Sequence, residues 1–169
     1  MVKISPISKY PVQEEAFVVR DLLKRTLERT EAIYERAGVP LPSRKYWALG
    51  QVAEDCDQVN VVFLNATLGT PGEQQTEPMP CNGPKFATVE VRITRNMVNS
   101  ENNTPPSAAR IEEASDWVAV DAWLLLDNLA VYDETLLGNR GSGVLATVAT
   151  APPSGNMQTT TLTLTLGIL

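Results

Sequence analysis

Hydrophobic residues recur at helical spacing in two long stretches of the chain. From Val12 to Ala37 apolar positions return every three or four residues and charged residues fill the positions between them, which predicts an amphipathic helix. Gly38 and the prolines after it supply the stop. From about Ser107 to Asp133 the apolar positions cover most of the helix circumference. Such a helix is predicted to be buried on two sides, against its own sheet or against another subunit.

Three further segments between these helices have strand-like patterns. Arg44 to Val52 is aromatic and weakly alternating, and Gln58 to Leu68 is apolar on both parities, which favours a central strand covered on both faces. Phe86 to Thr94 alternates cleanly, which predicts one buried and one polar face. The predicted buried positions are Ala87, Val89, Val91 and Ile93, and the polar ones are Thr88, Glu90, Arg92 and Thr94.

Two strand-like segments close the chain, and the short Pro/Gly turn between them predicts a hairpin. The first is Val144 to Ala151. In the second, Thr159 to Ile168, leucine alternates with threonine. One parity is predicted to enter the core against one of the helices: Leu162, Leu164, Leu166 and Ile168. No charged residue follows Arg140, so we expect the other parity, with Thr163 and Thr165, to be covered on assembly; the alternative is an ordinary exposed threonine face.

The order of elements is helix, two or three strands, helix and two strands. This order predicts one α+β domain over residues 1–169, with a mixed or mainly antiparallel sheet of about four to five strands packed with two long helices. Residues 1–11 are interpreted as an N-terminal extension. Residues 69–85 and 95–106 are interpreted as long loops because they are rich in Gly, Pro and polar residues.

The loop of residues 69–85 is a candidate contact segment. Loops of this length are often functional, and its proline content suits a segment that becomes ordered on assembly. We therefore expect it, including Glu73, Glu77 and Met79, to contact a neighbouring protein or subunit. The alternative is a passive surface loop.

Composition excludes several classes of function. The chain has 169 residues, a formal net charge of −6 and no histidine. The acidic balance argues against binding to nucleic acid or anionic membranes, and no apolar run approaches the roughly 18 residues that span a bilayer. Without histidine there is no Ser-His-Asp or Cys-His arrangement, and the glycine-rich segment 138–143 reads as a turn rather than a phosphate loop. We expect no enzymatic activity and no cofactor.

Two small features could carry chemistry. Glu54, Asp55 and Asp57 could hold a hard cation, but neighbouring strand residues point to opposite faces, so a solvated acidic turn is the preferred interpretation. Cys56 and Cys81 lack the spacing of a metal or redox pair. They are either two reduced thiols or a disulfide formed after release into an oxidising medium.

Several stretches resemble one family of virion proteins. They are LPSRKYWALG, AEDCDQ, LGTPGEQQTEPMPC, FATVEVRITR, TPPSAARIEEAS and VAVDAWLLLDNL, with the Thr/Leu-alternating end, and they cover most of the chain from Leu41 onward. In number and order they are similar to the tail terminators of long-tailed phages of actinobacteria. None of these motifs carries chemistry.

The resemblance implies a structural role. Tail terminators have a small α+β fold and form hexameric rings that cap the tail tube at its final length and present a surface to the head connector. The expected partners are therefore other copies of the chain, the tail tube protein and the head-to-tail stopper or connector, with double-stranded DNA passing through unread and no membrane. The protein would be made in the host cytoplasm and end in the tail or neck of the virion.

In such a ring the polar face of the third strand acquires a role. Glu90 and Arg92 carry opposite charges side by side and can set register with a neighbour. We expect this face to look onto the ring lumen or a subunit junction, the alternative being plain solvent exposure. Two other functions stay open: a stopper or connector ring of the neck, and a small carboxylate-dependent enzyme using Asp55 and Asp57.

Overall fold

The computed structural model describes residues 12–69, 85–98, 104–129, 145–152, 154 and 156–167, with side chains from Val18 onward. The elements in chain order are α1 (Val12–Ala37), β1 (Arg44–Leu49), β2 (Gln58–Leu68), β3 (Lys85–Asn96), α2 (Ala108–Leu124), a π-helical turn (Leu125–Leu129), β4 (Leu145–Thr150) and β5 (Met157–Gly167). The predicted α+β class is confirmed.

Five strands form one mixed sheet in the order β1-β2-β3-β5-β4. The β1–β2 pair is parallel and the other three pairs are antiparallel. The predicted C-terminal hairpin is confirmed, because β4 and β5 are adjacent. The C-terminal strand is not an edge, since β5 has β3 on one side and β4 on the other. Among the described strands, β1 and β4 form the edges of the sheet.

Both helices lie on one face of the sheet and enclose the core. Leu22, Leu23, Ile33 and Tyr34 of α1, with Leu125 and Leu129 of the π-helical turn, join one cluster with apolar residues of the sheet. The predicted buried parity of β3 is confirmed at all four positions, and that of β5 at Leu162, Leu164 and Leu166. Ile168 lies outside the described residues.

The ends of the first helix and first strand follow from glycine. Gly38 has φ +68° and donates from its amide to Glu35 at 3.1 Å, so it takes the left-handed conformation that ends many helices. Gly50, at φ +83°, ends β1 at Leu49 rather than at the predicted Val52. The left-handed region is costly for residues with a Cβ, so glycine marks both ends.

The central-strand prediction for β2 is right for only part of the strand. Residues 58–62 are buried on both faces, but residues 64–68 are exposed. The pairing with β3 shifts register between Phe63 and Asn65, and the burial ends there. An apolar sequence shows what a strand could bury, whereas the surrounding elements decide how much of it is covered.

The second helix begins as predicted and changes geometry near its end. Ser107 caps it by accepting from the Arg110 amide at 3.4 Å, and the helical hydrogen bonding switches to the π type at Leu125. Residues 130–133 lie outside the described ranges. Ile111 is one of the apolar positions from which the sequence predicts a buried helix, but it is 47% exposed because it lies in the first turn, before the helix reaches the core.

Candidate assembly surface

Four of the sequence-predicted contact residues meet on the sheet face opposite the helices. Arg92 donates to Glu90 Oε2 from Nη2 at 2.6 Å and from Nε at 2.8 Å. Thr163 Oγ1 donates to Glu90 Oε1 at 3.5 Å. Thr165 Oγ1 lies 3.5 Å from the hydroxyl of its cross-strand partner Thr88. The sheet therefore brings these residues to one face, and three of them, Glu90, Arg92 and Thr163, contact one another. The remaining predicted contacts, Glu73, Glu77 and Met79, lie outside the described residues.

The acidic turn lies against part of this face at Glu54. Glu54 lies 3.4 Å from Arg92 Nη1 and accepts a hydrogen bond from Thr159 Oγ1 at 2.7 Å. With these contacts the Arg92 side chain is only 15% exposed. Thr94, expected on an open polar face, is completely buried and shares a 3.0 Å hydrogen bond with Thr159. The carboxylates of the turn are exposed, as the solvated interpretation expects, and Glu54 in addition neutralises an arginine of the sheet.

Other residues of the turn also have contacts within the chain. Arg44 Nη1 lies 3.3 Å from Asp55 Oδ1 and 3.0 Å from Cys56 Sγ, and Asp57 accepts from the Asn96 amide. Cys56 is a free thiol in the described part of the chain, and Cys81 lies outside it, so the question of a disulfide stays open. Across the described ranges, no group of three or more His, Cys, Asp or Glu side chains could hold a metal ion.

A buried ion pair fixes α2 to the rest of the fold. Arg95, at the end of β3, donates to Asp121 of α2 from Nε at 2.6 Å and from Nη2 at 2.8 Å. Tyr34 of α1 donates to the same carboxylate at 3.0 Å. The Arg95 guanidinium also lies over the Trp117 ring, 5.4 Å from its centroid, and donates to the Pro40 carbonyl at 3.1 Å. One carboxylate therefore joins both helices to the sheet.

The electrostatics of this cluster match its geometry. Burial, reinforced by the Asp121 carboxylate, raises the pKa of the Tyr34 phenol well above its ordinary value, so the phenol stays a donor. Burial acts to lower the pKa of Arg95, but the hydrogen bonds and charge of Asp121 outweigh it and the pKa is raised. Sequence reasoning missed the cluster because an aspartate in a helix gives no sign of being buried.

The opposite side of α2 is exposed and apolar. Trp123 is 65% exposed and Leu126 is 39% exposed. At about 100° per residue, Trp123 lies about 200° around the helix from Asp121, so it points away from the cluster that binds α1 and β3. Asp116, Ala119, Val120, Trp123 and Leu124 line a shallow hollow there. We call this surface the outer face of α2.

The two edges of the sheet differ in their protection. Lys and Arg on an edge strand discourage pairing with other chains, and β1 begins with Arg44 and Lys45. The β4 edge, Leu145–Thr150, carries no charged residue, and Leu145 is 60% exposed. Because α2 packs on β5 and β4, the uncharged edge and the outer face of α2 belong to the same half of the domain.

Comparison with known proteins adds no family assignment: no family model matches the chain, and no curated protein matches it either. No helix in the described ranges is long and apolar enough to cross a membrane.

Proposed function

We propose that the protein is a structural virion protein, a tail terminator whose ring caps the tail tube at its final length and joins it to the head connector. The observation that carries the proposal is the outer face of α2, where Trp123 is 65% exposed, in the half of the domain that also holds the uncharged β4 edge. Large apolar patches on a soluble domain mark interaction sites. The sequence resemblance supplies the identity of the assembly, and the α+β fold is compatible with it.

A ring needs two different surfaces on each subunit. A heterologous contact closes into a ring when its rotation closes, whereas a self-complementary contact stops at a dimer. The two sheet edges are unlike, one basic and one uncharged, and they lie at opposite ends of the strand order. This asymmetry favours a head-to-tail arrangement, for which we propose six copies by analogy with the family that the sequence resembles. The net charge of −6 would let DNA pass without adhering.

The oligomer is the first test. Size-exclusion chromatography with light scattering, followed by negative-stain imaging, should show a closed ring. Trp123→Ser combined with Leu145→Lys should give a folded monomer, and Lys24→Ser, on the exposed side of α1, is the matched control. A ring that survives the double substitution would place the interface elsewhere, and a wild-type monomer at all concentrations would argue against the proposal.

The position in the virion is the second test. A phage that lacks the gene should make overlong tails if the protein is a terminator. Normal tails beside unattached heads would instead indicate the stopper or connector, the second candidate.

The enzyme alternative has its own test. Asp55→Asn with Asp57→Asn should leave assembly and infectivity intact, and a loss of infectivity with normal particles would favour the enzyme alternative.

Two contact proposals belong to the same assembly. Replacing the loop 69–85 by a four-residue turn should preserve folding and impair assembly, and normal tails from that variant would contradict its contact role.

Arg92→Glu places a third carboxylate beside Glu54 and Glu90, so folding must be checked first by circular dichroism. Rings formed normally by a folded variant would favour solvent exposure of this face.

A further inference from the structure

A short pattern occurs twice in α2 and the π-helical turn. Trp117 is followed four residues later by Asp121, and Trp123 is followed four residues later by Asp127. Four residues are about one α-helical turn, which places Trp117 and Asp121 on one side of α2. Asp127 lies in the wider π-helical turn, where four residues fall just short of a full turn, so Trp123 and Asp127 also share a side. The pairs start six residues apart and therefore lie on different sides. We call them the inner pair (Trp117 and Asp121) and the outer pair (Trp123 and Asp127).

The inner pair already binds an arginine of the same chain. The Arg95 guanidinium lies over Trp117, 5.4 Å from the ring centroid, and reaches the Asp121 oxygens at 2.6 and 2.8 Å. The ring attracts the cation and the carboxylate fixes its plane, so the two contacts act on one group. This spacing on this helix is therefore able to hold a guanidinium.

The outer pair has the same groups but no cation within the described part of the chain. Trp123 and Asp127 are both exposed, and no ion pair joins Asp127 to another described residue. The hollow beside Trp123 has Ala119, Val120 and Leu124 in its lining and Asp116 at its margin. An aliphatic stem could lie on the apolar residues while its charged end reaches a carboxylate.

We propose that the outer pair binds an arginine side chain of a partner protein, stacked on the Trp123 indole and paired with Asp127. Arginine fits better than lysine because its guanidinium is planar, stacks on aromatic rings and meets carboxylates in a fork. The carboxylates of Asp116 in the hollow and of Asp127 disfavour a phosphate-bearing partner. The inference does not depend on the proposed function, since any partner that presents arginine beside apolar residues would satisfy it.

The test follows the three indole N–H signals of Trp47, Trp117 and Trp123 by NMR in purified ¹⁵N-labelled protein. Trp123→Phe assigns the third signal. The probe is N-acetyl-arginine amide, and the matched control is N-acetyl-citrulline amide, which has nearly the same shape without the charge. The Trp123 signal should shift with a dissociation constant in the millimolar range, whereas citrulline should bind at least about tenfold more weakly. Trp117 should not respond, because its position is already filled.

Variants at carboxylates of the same helix complete the test. Asp127→Asn should weaken arginine binding by about fivefold or more, while Glu113→Gln should leave it within a factor of two. Equal binding of citrulline, insensitivity to Asp127→Asn or the absence of any Trp123 shift up to about 50 mM probe would each overturn the proposal. If the Trp123 signal of assembled wild-type protein is already shifted and Asp127→Asn reverses this, a second copy supplies the arginine and the site is supported. Because these readouts need no phage, their failure is distinguishable from failure of the proposed virion role.

Discussion

Replacing Asp121 by alanine should destabilise the fold more than any other single change on α2. The substitution leaves the Arg95 guanidinium without its carboxylate and the Tyr34 hydroxyl without its acceptor. Only 1% of the Asp121 side chain and 15% of the Arg95 side chain are exposed, so water can replace little of what is lost. Breaking a buried ion pair on one side costs about 3–5 kcal/mol, and we expect a loss in that range.

Denaturation by urea, followed by circular dichroism at low micromolar concentration, measures this loss. In a thermal melt a chain of this size should lose about 2–4 °C of melting temperature per kcal/mol, so the melting temperature should fall by roughly 6–20 °C. Asp116→Ala, on the exposed side of the same helix, is the matched control and should change stability by less than about 0.5 kcal/mol.

A triple replacement separates the ion pair from simple packing. Arg95→Met, Asp121→Leu and Tyr34→Phe together remove every polar partner and keep most of the volume. Apolar replacement of a whole buried pair is often neutral, so the triple variant should be more stable than Asp121→Ala alone. A triple variant less stable than Asp121→Ala, or a loss below about 1 kcal/mol for Asp121→Ala, would refute the ion-pair reasoning.

The remaining predictions concern the phenol, the core and the sheet. Because the folded state raises the pKa of Tyr34, the unfolded chain loses this proton first above about pH 10, and stability should fall there by up to ~1.4 kcal/mol per pH unit; Tyr34→Phe should show a shallower fall in urea titrations at pH 9–11. Leu164→Ala should cost about 2–5 kcal/mol in the same assay, whereas Thr163→Lys should leave the monomer folded and block ring formation in light scattering only if the threonine face is covered. Asn60 is fully buried, and its amide has no hydrogen-bond partner in the described part of the chain, so Asn60→Leu should raise the free energy of unfolding by about 1–2 kcal/mol and with it the urea midpoint; a lower midpoint would mean that the amide has a partner.

Local hydrophobic patterns in the sequence predicted much of the secondary structure. The bounds of α1 and β2 agree with the sequence prediction at both ends, because hydrophobic spacing and glycine stops are properties of short segments. The alternation of β3 and β5 likewise identified which side chains face the core. The Pro/Gly turn predicted that β4 and β5 are neighbours, but no pattern predicted that β3 lies on the other side of β5, so the interior position of β5 came from the structure.

The contacts that join distant segments could not be predicted from the sequence, and the reason is physical. Tyr34 and Asp121 are 87 residues apart, and Glu54 and Thr159 are 105 residues apart. A buried aspartate and a surface aspartate have the same sequence signature, since only the partner decides whether burial is tolerable. The sequence showed Asp121 and Glu54 as ordinary charges, and the fold makes both of them ties between elements.

The two sides of α2 explain why folding and assembly can be altered separately in this protein. The inner pair and Tyr34 make their hydrogen bonds and their stacking contact within the chain, so substitutions there change the free energy of unfolding. The indole and the carboxylate of the outer pair are exposed, so substitutions there should leave the free energy of unfolding nearly unchanged. The exposed Trp123 indole leaves apolar surface in water, which is unfavourable. The fold of a single chain does not explain this exposure, whereas an interaction site does. A partner that covers Trp123 removes this cost, and one that presents arginine also gains the pairing that Arg95 demonstrates on the other side of the same helix.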